Sequence, residues 1–257
     1  VQSVALRIIS EREIEIEKFN PQEYWSIQGF FSNSKDETIN SRLTLYNGNK
    51  LDKLDIKNEE EATKIYTTIK NSKFKINSIT KKETKRNPYP AFTTSTMQIE
   101  SSRKLGLSAN QTMRTAQKLY EGTEIKGETT GLITYMRTDS VIMSNDAINQ
   151  IRNFVTENYG QNFIPDSPRI YKSKAKNAQE AHECIRPTNI SLTPKDVKQF
   201  ITSEEFKLYE IIWQRAVSSQ MSSAVLDQVA VDIANEDKKI VLRANGSTIK
   251  FSGMYQV

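Results

Sequence analysis

At 257 residues the chain can bury one large core or two modest ones, and 37% hydrophobic with 26% charged residues is ordinary for a somewhat polar globular protein. One cysteine, Cys184, excludes an internal disulfide and a multi-cysteine zinc site within the chain, and no run of about 18 apolar residues is present to span a membrane. A formal charge of +5 with a pI near 9.1 permits a polyanionic partner without requiring one.

Val1, Val4, Ala5, Ile8 and Ile9 recur at helical spacing, and this helix runs toward Phe19 until Asn20-Pro21 stops it. Tyr24–Phe31 is aromatic and apolar, as expected of a strand. Thr38–Tyr46 alternates, with Ile39, Leu43 and Leu45 on one face, and Asn47-Gly48 signals a turn. Asn58 caps a short helix with Glu61 as its capping-box partner, and Ala62, Ile65, Tyr66 and Ile69 form its apolar face. Phe74–Lys82 returns to strand, with Phe74 and Ile76 facing alike. Asn87-Pro88-Tyr89-Pro90 punctuates the chain.

Beyond that point the periodicity is helical. Helices are predicted over Ser95–Lys104 and from Ser108, whose reciprocal partner is Gln111 and whose buried stripe is Met113, Ala116, Leu119 and Tyr120. Gly122–Gly131 reads as a polar loop. Ser144 caps an amphipathic helix closed by Gly160, Thr193-Pro194 opens another, and the last long one carries Phe206, Tyr209, Ile212, Trp213, Ala216 and Val217. Alternation resumes at Val225, and two further strands are expected around Asn245-Gly246. The resulting architecture is an α and β multidomain chain. Residues 1–20 form a helix, residues 21–89 with 222–257 form a discontinuous β-rich domain, and residues 90–221 form an all-α domain inserted into it.

The chemistry concentrates in Gly131–Ser140, which reads Gly-Leu-Ile-Thr-Tyr-Met-Arg-Thr-Asp-Ser. On an extended backbone Tyr135 and Arg137 project to the same side. A phenol can act as a nucleophile and form a covalent intermediate. Arginine presents planar donors that match a phosphate and keeps its charge. The pair suggests phosphoryl transfer onto tyrosine, although a packed tyrosine beside a surface charge has the same spacing. A free phenol has a pKa of about 10, so attack on phosphorus requires loss of its proton, and no general base is obvious in the neighbouring sequence.

The wider stretch resembles the active-site segment of the type IA DNA topoisomerases. Val1–Arg7 (Val-Gln-Ser-Val-Ala-Leu-Arg), Pro90–Met97 (Pro-Ala-Phe-Thr-Thr-Ser-Thr-Met), Leu105–Gly122 and Gln179–Pro187 (Gln-Glu-Ala-His-Glu-Cys-Ile-Arg-Pro) are similar to other segments of that family, in the same order. The resemblance covers nearly the whole chain. It implies a β-rich arch domain interrupted by a helical domain that holds the catalytic tyrosine, with residues 1–20 coming from the end of the preceding DNA-gate domain. Tyr135 would take the 5′-phosphate of a broken DNA strand with Arg137 as its phosphate partner. The activity implied is ATP-independent cleavage of one strand, strand passage and religation, relaxing negative supercoils.

The resemblance also implies DNA-contact or supporting roles for Val1, Gln2, Ser3, Thr134, Asp139, His182 and Arg186. For several of these a plainer reading stands beside it. Gln2 and Ser3 could be frayed ends, His182 a surface residue, and Arg186 an ion-pair partner of Glu183 or Glu180. Asp139 and Thr138 would fix the loop carrying Tyr135, or pack against another domain. Lys81, Lys82, Lys85 and Arg86 form the densest basic stretch, either a solvated strand end or part of the lining of a DNA passage. Tyr24, Trp25 and Trp213 lie at periodic positions and are assigned to cores, and Cys184 is assigned no chemistry.

The family's Asp-x-Asp-x-Glu pattern does not occur here, nor do the glycine and arginine expected just before Val1, nor an initiator methionine. The expectation is therefore a central fragment lacking the N-terminal toprim domain. Mg²⁺ would be held in the full-length enzyme by that domain, with no metal ligands in this fragment. The isolated chain would not relax DNA. The partners implied are single-stranded and negatively supercoiled DNA and the toprim domain of the same chain, in a monomeric, cytoplasmic, nucleoid-associated enzyme without a membrane segment. The competing reading is a non-catalytic module that binds or clamps single-stranded DNA. A phosphotyrosine-forming recombinase or nicking enzyme is a third, disfavoured by the single histidine.

Overall fold

The computed structural model describes residues 2–125, 127–172 and 183–257. It is a mixed α/β architecture with an antiparallel sheet, divided into two compact units. The first unit comprises residues 1–82 and 227–248, and the second comprises residues 83–226 and 249–257.

The first unit opens with helix α1 (Gln2–Glu17), all of whose residues are exposed, followed by strands β1 (Gln28–Ser32), β2 (Thr38–Tyr46) and β3 (Asn49–Lys50). Asn47 and Gly48 have φ of 51° and 79°, the two positive values a type I′ hairpin turn requires. Helix α2 (Glu59–Lys70) begins where the Asn58 side chain accepts the Glu61 N–H. The box is not closed as expected, because the Glu61 carboxylate accepts instead from the Lys57 N–H at 3.0 Å. Strand β4 (Phe74–Arg86) follows. In the second unit lie helices α3 (Thr94–Leu105) and α4 (Ala109–Glu121), strands β5 (Thr123–Ile125) and β6 (Glu128–Thr130), and helices α5 (Asn145–Tyr159), α6 (Pro194–Val197) and α7 (Ser203–Ser219). Strands β7 (Ala224–Asn235) and β8 (Val241–Phe251) complete the sheet, whose order is β1-β2-β8-β7-β4 with β3 beside β2.

In the first unit, Leu43, Ile56, Ala62, Ile65, Ile240 and Leu242 pack together against α2. The second unit has the larger core, centred on α4, α5 and α7, and it includes Leu132, Ile133 and Met136 from the Tyr135 segment. Each such fully buried side chain contributes roughly 1.5–3 kcal/mol. Three of them within five residues are enough to hold a segment that has no regular secondary structure of its own.

Several expectations are corrected. The polar loop over Gly122–Gly131 is a hairpin, with Thr123 opposite Thr130 and Ile125 opposite Glu128. Asn245-Gly246 is not a turn. β8 runs through it from Val241 to Phe251, and the residues before it pair with β2, Arg243 with Arg42 and Leu242 with Leu43. Tyr24 and Trp25 lie outside any strand and are exposed, with the Lys53 ammonium 4.6 Å above the Tyr24 ring, whereas Trp213 is in the core as expected. Phe74 packs edge-on against Phe31, but Ile76 is exposed on the same edge strand. Tyr66 and Tyr120 also leave their predicted apolar stripes for the surface.

Candidate active site

From Tyr135 to Ser140 burial alternates strictly: Tyr135, Arg137 and Asp139 are exposed, while Met136, Thr138 and Ser140 are buried. Tyr135 and Arg137 are thus both turned to solvent with Met136 buried between them, on a segment that bends at Thr134, Met136 and Arg137 and belongs to no strand.

Three neighbouring segments fix this backbone. Before the tyrosine, the Leu132 N–H donates to the Leu119 carbonyl at the end of α4 (2.7 Å). The Thr134 N–H donates to the Arg186 carbonyl (2.9 Å), and the Thr134 hydroxyl donates to the Cys184 carbonyl (2.7 Å) while accepting the Arg186 N–H (3.0 Å). Thr134 thus supports the site by tying it to the 183–188 segment, which is itself held by Ile185 N–H to the Phe92 carbonyl and Cys184 N–H to the Ile142 carbonyl, both 2.8 Å. After the tyrosine, the Thr94 hydroxyl donates to the Met136 carbonyl (2.7 Å) and accepts the Thr138 N–H (2.8 Å). Thr138 and Ser140 then fold the chain onward, each hydroxyl accepting the N–H two residues later.

The Tyr135 ring meets Tyr120 edge to face, with ring centroids 5.4 Å apart. Gly131 is needed where α4 approaches, since a Cβ there would lie 2.7 Å from the Tyr120 carbonyl oxygen. Among the described residues no ion pair is made by Arg137, whose side chain is exposed.

Arg186 is different. Its guanidinium is largely buried and paired with Glu183 (2.6 Å), which favours the ion-pair reading over a phosphate contact. Glu183 also accepts the Ser144 N–H at the start of α5 (2.6 Å). Burial alone would raise the Glu183 pKa, but the Ser144 hydrogen bond and the Arg186 charge outweigh it and hold the carboxyl below its usual range. Burial pushes the Cys184 thiol up to about 12, in keeping with its lack of assigned chemistry.

Asp139 is exposed and makes none of the hydrogen bonds that fix the loop; Thr138 and Ser140 make them instead. Gln2 and Ser3 are exposed at the start of α1 in the first unit. Val1, His182 and Glu180 lie outside the described residues. Lys81, Lys82, Lys85 and Arg86 are all exposed along β4. Sequence reasoning assigned no role to Thr94, placed Tyr120 on a core stripe, and named Glu183 only as one possible partner of Arg186. Thr94 did fall in a family-like segment, Pro90–Met97, which is the signal that could have found it.

Among the described residues no group of three or more His, Cys, Asp or Glu side chains is placed to hold a metal ion, and no helix is long and apolar enough to cross a membrane. The arrangement presents a phenol and a guanidinium at an exposed surface.

The sequence pattern of the DNA topoisomerase family matches residues 1–257. The chain is 52% identical over 257 residues to DNA topoisomerase 1 of Rickettsia felis, covering 100% of this chain and 33% of that protein. Against DNA topoisomerase 1 of Xylella fastidiosa it is 44% identical over 261 residues, covering 100% of this chain and 32% of that one. Its structure is similar to full-length topoisomerase I from Thermotoga maritima, with a TM-score of 0.81, 30% identity, and coverage of 100% of this chain and 39% of the other. The chain thus spans about a third of the length of the curated relatives it matches. With a match that runs through every residue, Tyr135 and Arg137 included, the chain belongs to the DNA topoisomerase family, on the type IA branch that its motifs resemble.

Proposed function

We propose that this chain carries the nucleophile of a type IA DNA topoisomerase. Tyr135 and Arg137 both stand exposed on a segment whose intervening Met136 is buried and whose backbone is clamped from three directions, and this observation carries the reading. The Tyr135 oxygen attacks a backbone phosphorus of single-stranded DNA. The bond from phosphorus to the 3′ oxygen breaks, the 5′-phosphate remains on the tyrosine, and the 3′ hydroxyl leaves with the proton the phenol gives up. Arg137 neutralises charge gathering on the phosphoryl oxygens. One phosphate ester replaces another, so religation by the reverse step needs no ATP.

In this proposal the longer protein passes a second strand through the break and relaxes negative supercoils in the bacterial cytoplasm, acting as a monomer. The first unit corresponds to the arch and the second to the inserted domain bearing the tyrosine. The described residues do not fit a metal site, so no step here is routed through a metal. Mg²⁺ is assigned to a toprim domain elsewhere in the same protein. His182 is proposed as a further contact near the tyrosine, and Gln2 and Ser3 as DNA contacts.

The test is adduct formation. This chain, mixed with a toprim-containing piece of the same enzyme, Mg²⁺ and 3′-labelled single-stranded DNA, is expected to give a covalent complex on a denaturing gel that Tyr135→Phe abolishes. No adduct when the two pieces are shown to be folded and associated would leave the clamping module as the better reading, whereas labelled protein that persists in Tyr135→Phe would place the nucleophile on another residue.

A further inference from the structure

One side-chain oxygen holds the backbone on both sides of Arg137. The carbonyl of Met136 belongs to the peptide plane entering the Arg137 Cα, and the N–H of Thr138 belongs to the plane leaving it. Both are bonded to the hydroxyl of Thr94, at 2.7 and 2.8 Å. That hydroxyl has one proton and two carbonyls within reach, Met136 at 2.7 Å and Thr138 at 3.0 Å; the shorter contact gives it to Met136, and a lone pair accepts the Thr138 N–H. The Thr94 N–H closes the set by donating to the Thr138 carbonyl at 2.8 Å. With both flanking planes held, φ and ψ of Arg137 are fixed, and so is the direction of its Cα–Cβ bond.

Thr94 itself is rigidly placed. It is the first residue of α3, following the Thr93 N-cap whose box with Thr96 is closed. Its neighbour Phe92 is buried and accepts the Ile185 N–H, so the same short stretch holds both the Arg137 turn and the 183–188 segment that binds Thr134.

We infer that Thr94 is a positioning residue for DNA cleavage, setting the Arg137 guanidinium against the phosphate that Tyr135 attacks. The inference rests on the reading of Tyr135 and Arg137 given above. Thr94 touches no substrate. Its hydroxyl acts through Arg137.

The test uses the full-length enzyme containing this chain, with single-turnover cleavage of a 3′-labelled oligonucleotide, its binding affinity, and thermal melting measured together. Misplacing a reacting group by about 1 Å costs on the order of 100-fold, so Thr94→Val is expected to slow cleavage by roughly 10- to 100-fold while affinity stays within about twofold. Thr94→Ser keeps the hydroxyl and should restore the rate to within about threefold. In an Arg137→Ala background, Thr94→Val should add less than about twofold, because two residues acting through one group are not additive.

Effects of Thr94→Val and Arg137→Ala that multiply would overturn the inference, as would a Thr94→Ser enzyme as slow as Thr94→Val. If Thr94→Val fails to fold, amide exchange decides. The Thr138 N–H should be as protected in Thr94→Ser as in the parent and exchange at least about tenfold faster in Thr94→Ala; equal protection in all three sinks the idea. Tyr135→Phe, run in parallel, separates the two failures. A dead Tyr135→Phe with an unimpaired Thr94→Val removes only the positioning role, whereas an active Tyr135→Phe removes both.

Discussion

Gly131 packs directly against the end of α4, and Gly131→Ala perturbs that approach with a single carbon. The added Cβ would lie 2.7 Å from the Tyr120 carbonyl oxygen, nearer than real Cβ atoms come. Neither side yields easily. The Gly131 carbonyl accepts the Thr188 hydroxyl at 2.6 Å, and the next residue donates its N–H to Leu119 at 2.7 Å. Overpacking of this kind costs about 1–3 kcal/mol, and the narrower unfolded ensemble of alanine returns about 0.4–1, leaving a net destabilisation of about 0–2.6 kcal/mol with its midpoint at about 1.3. At that midpoint a unit of roughly 150 residues loses about 3–5 °C in Tm. The strain falls between α4 and the segment bearing Tyr135, so the Leu132 amide should lose exchange protection. Gly246→Ala is the matched control, because a Cβ there meets nothing within 4 Å and the φ is not positive. It should leave Tm unchanged or slightly raised. Scanning calorimetry and amide exchange on both variants check this. A Gly131→Ala protein that melts no lower than the parent, with Leu132 equally protected, would refute the close-approach argument.

Other residues give independent tests. Thr134→Val removes the hydroxyl that serves Cys184 and Arg186, leaving backbone groups unpaired at about 1–3 kcal/mol, and should also cut adduct yield, whereas Thr134→Ser should lose little of either. Glu183 has a depressed pKa, so its pairing stabilises the fold above the ordinary carboxylate range and is lost as pH falls through the folded value. The stability gap between the parent and Glu183→Gln, measured by denaturant titration, should therefore be widest near neutrality and close below about pH 4; a gap that widens with acid would contradict the assignment. Cys184 is buried with its thiol pushed up to about 12, so iodoacetamide at neutral pH should label it only at the rate of unfolding. Rapid labelling of the native protein would count against that burial.

Local signals were legible because their partners lie within a few residues. Ser108 with Gln111, Ser144 before α5, and the Asn47-Gly48 turn are all complete in four or five positions of sequence. The exposure of Tyr135 and Arg137 with Met136 buried between them also agrees with the alternation read from spacing. What escaped depends on distant partners. Thr94 meets Met136 and Thr138 across 42 and 44 residues, and nothing in its own neighbourhood announces that. Asn245-Gly246 has the local chemistry of a turn, but β8 is claimed on both sides by other strands, so pairing overrides the dipeptide. Tyr120 follows Leu119 on α4 and was placed on the buried stripe. One step of the helix turns it about 100° away, and its ring meets Tyr135 instead.

The central claim is that Tyr135 takes the 5′-phosphate of a cut strand. The most direct measurement is to trap the adduct of the full-length enzyme with single-stranded DNA labelled separately at each end, digest it with protease and nuclease, and sequence the nucleotide-bearing peptide by mass spectrometry. The account predicts that only the 3′ label stays with protein and that the modified residue is Tyr135. Retention of the 5′ label, or a nucleotide on any other residue, would contradict it.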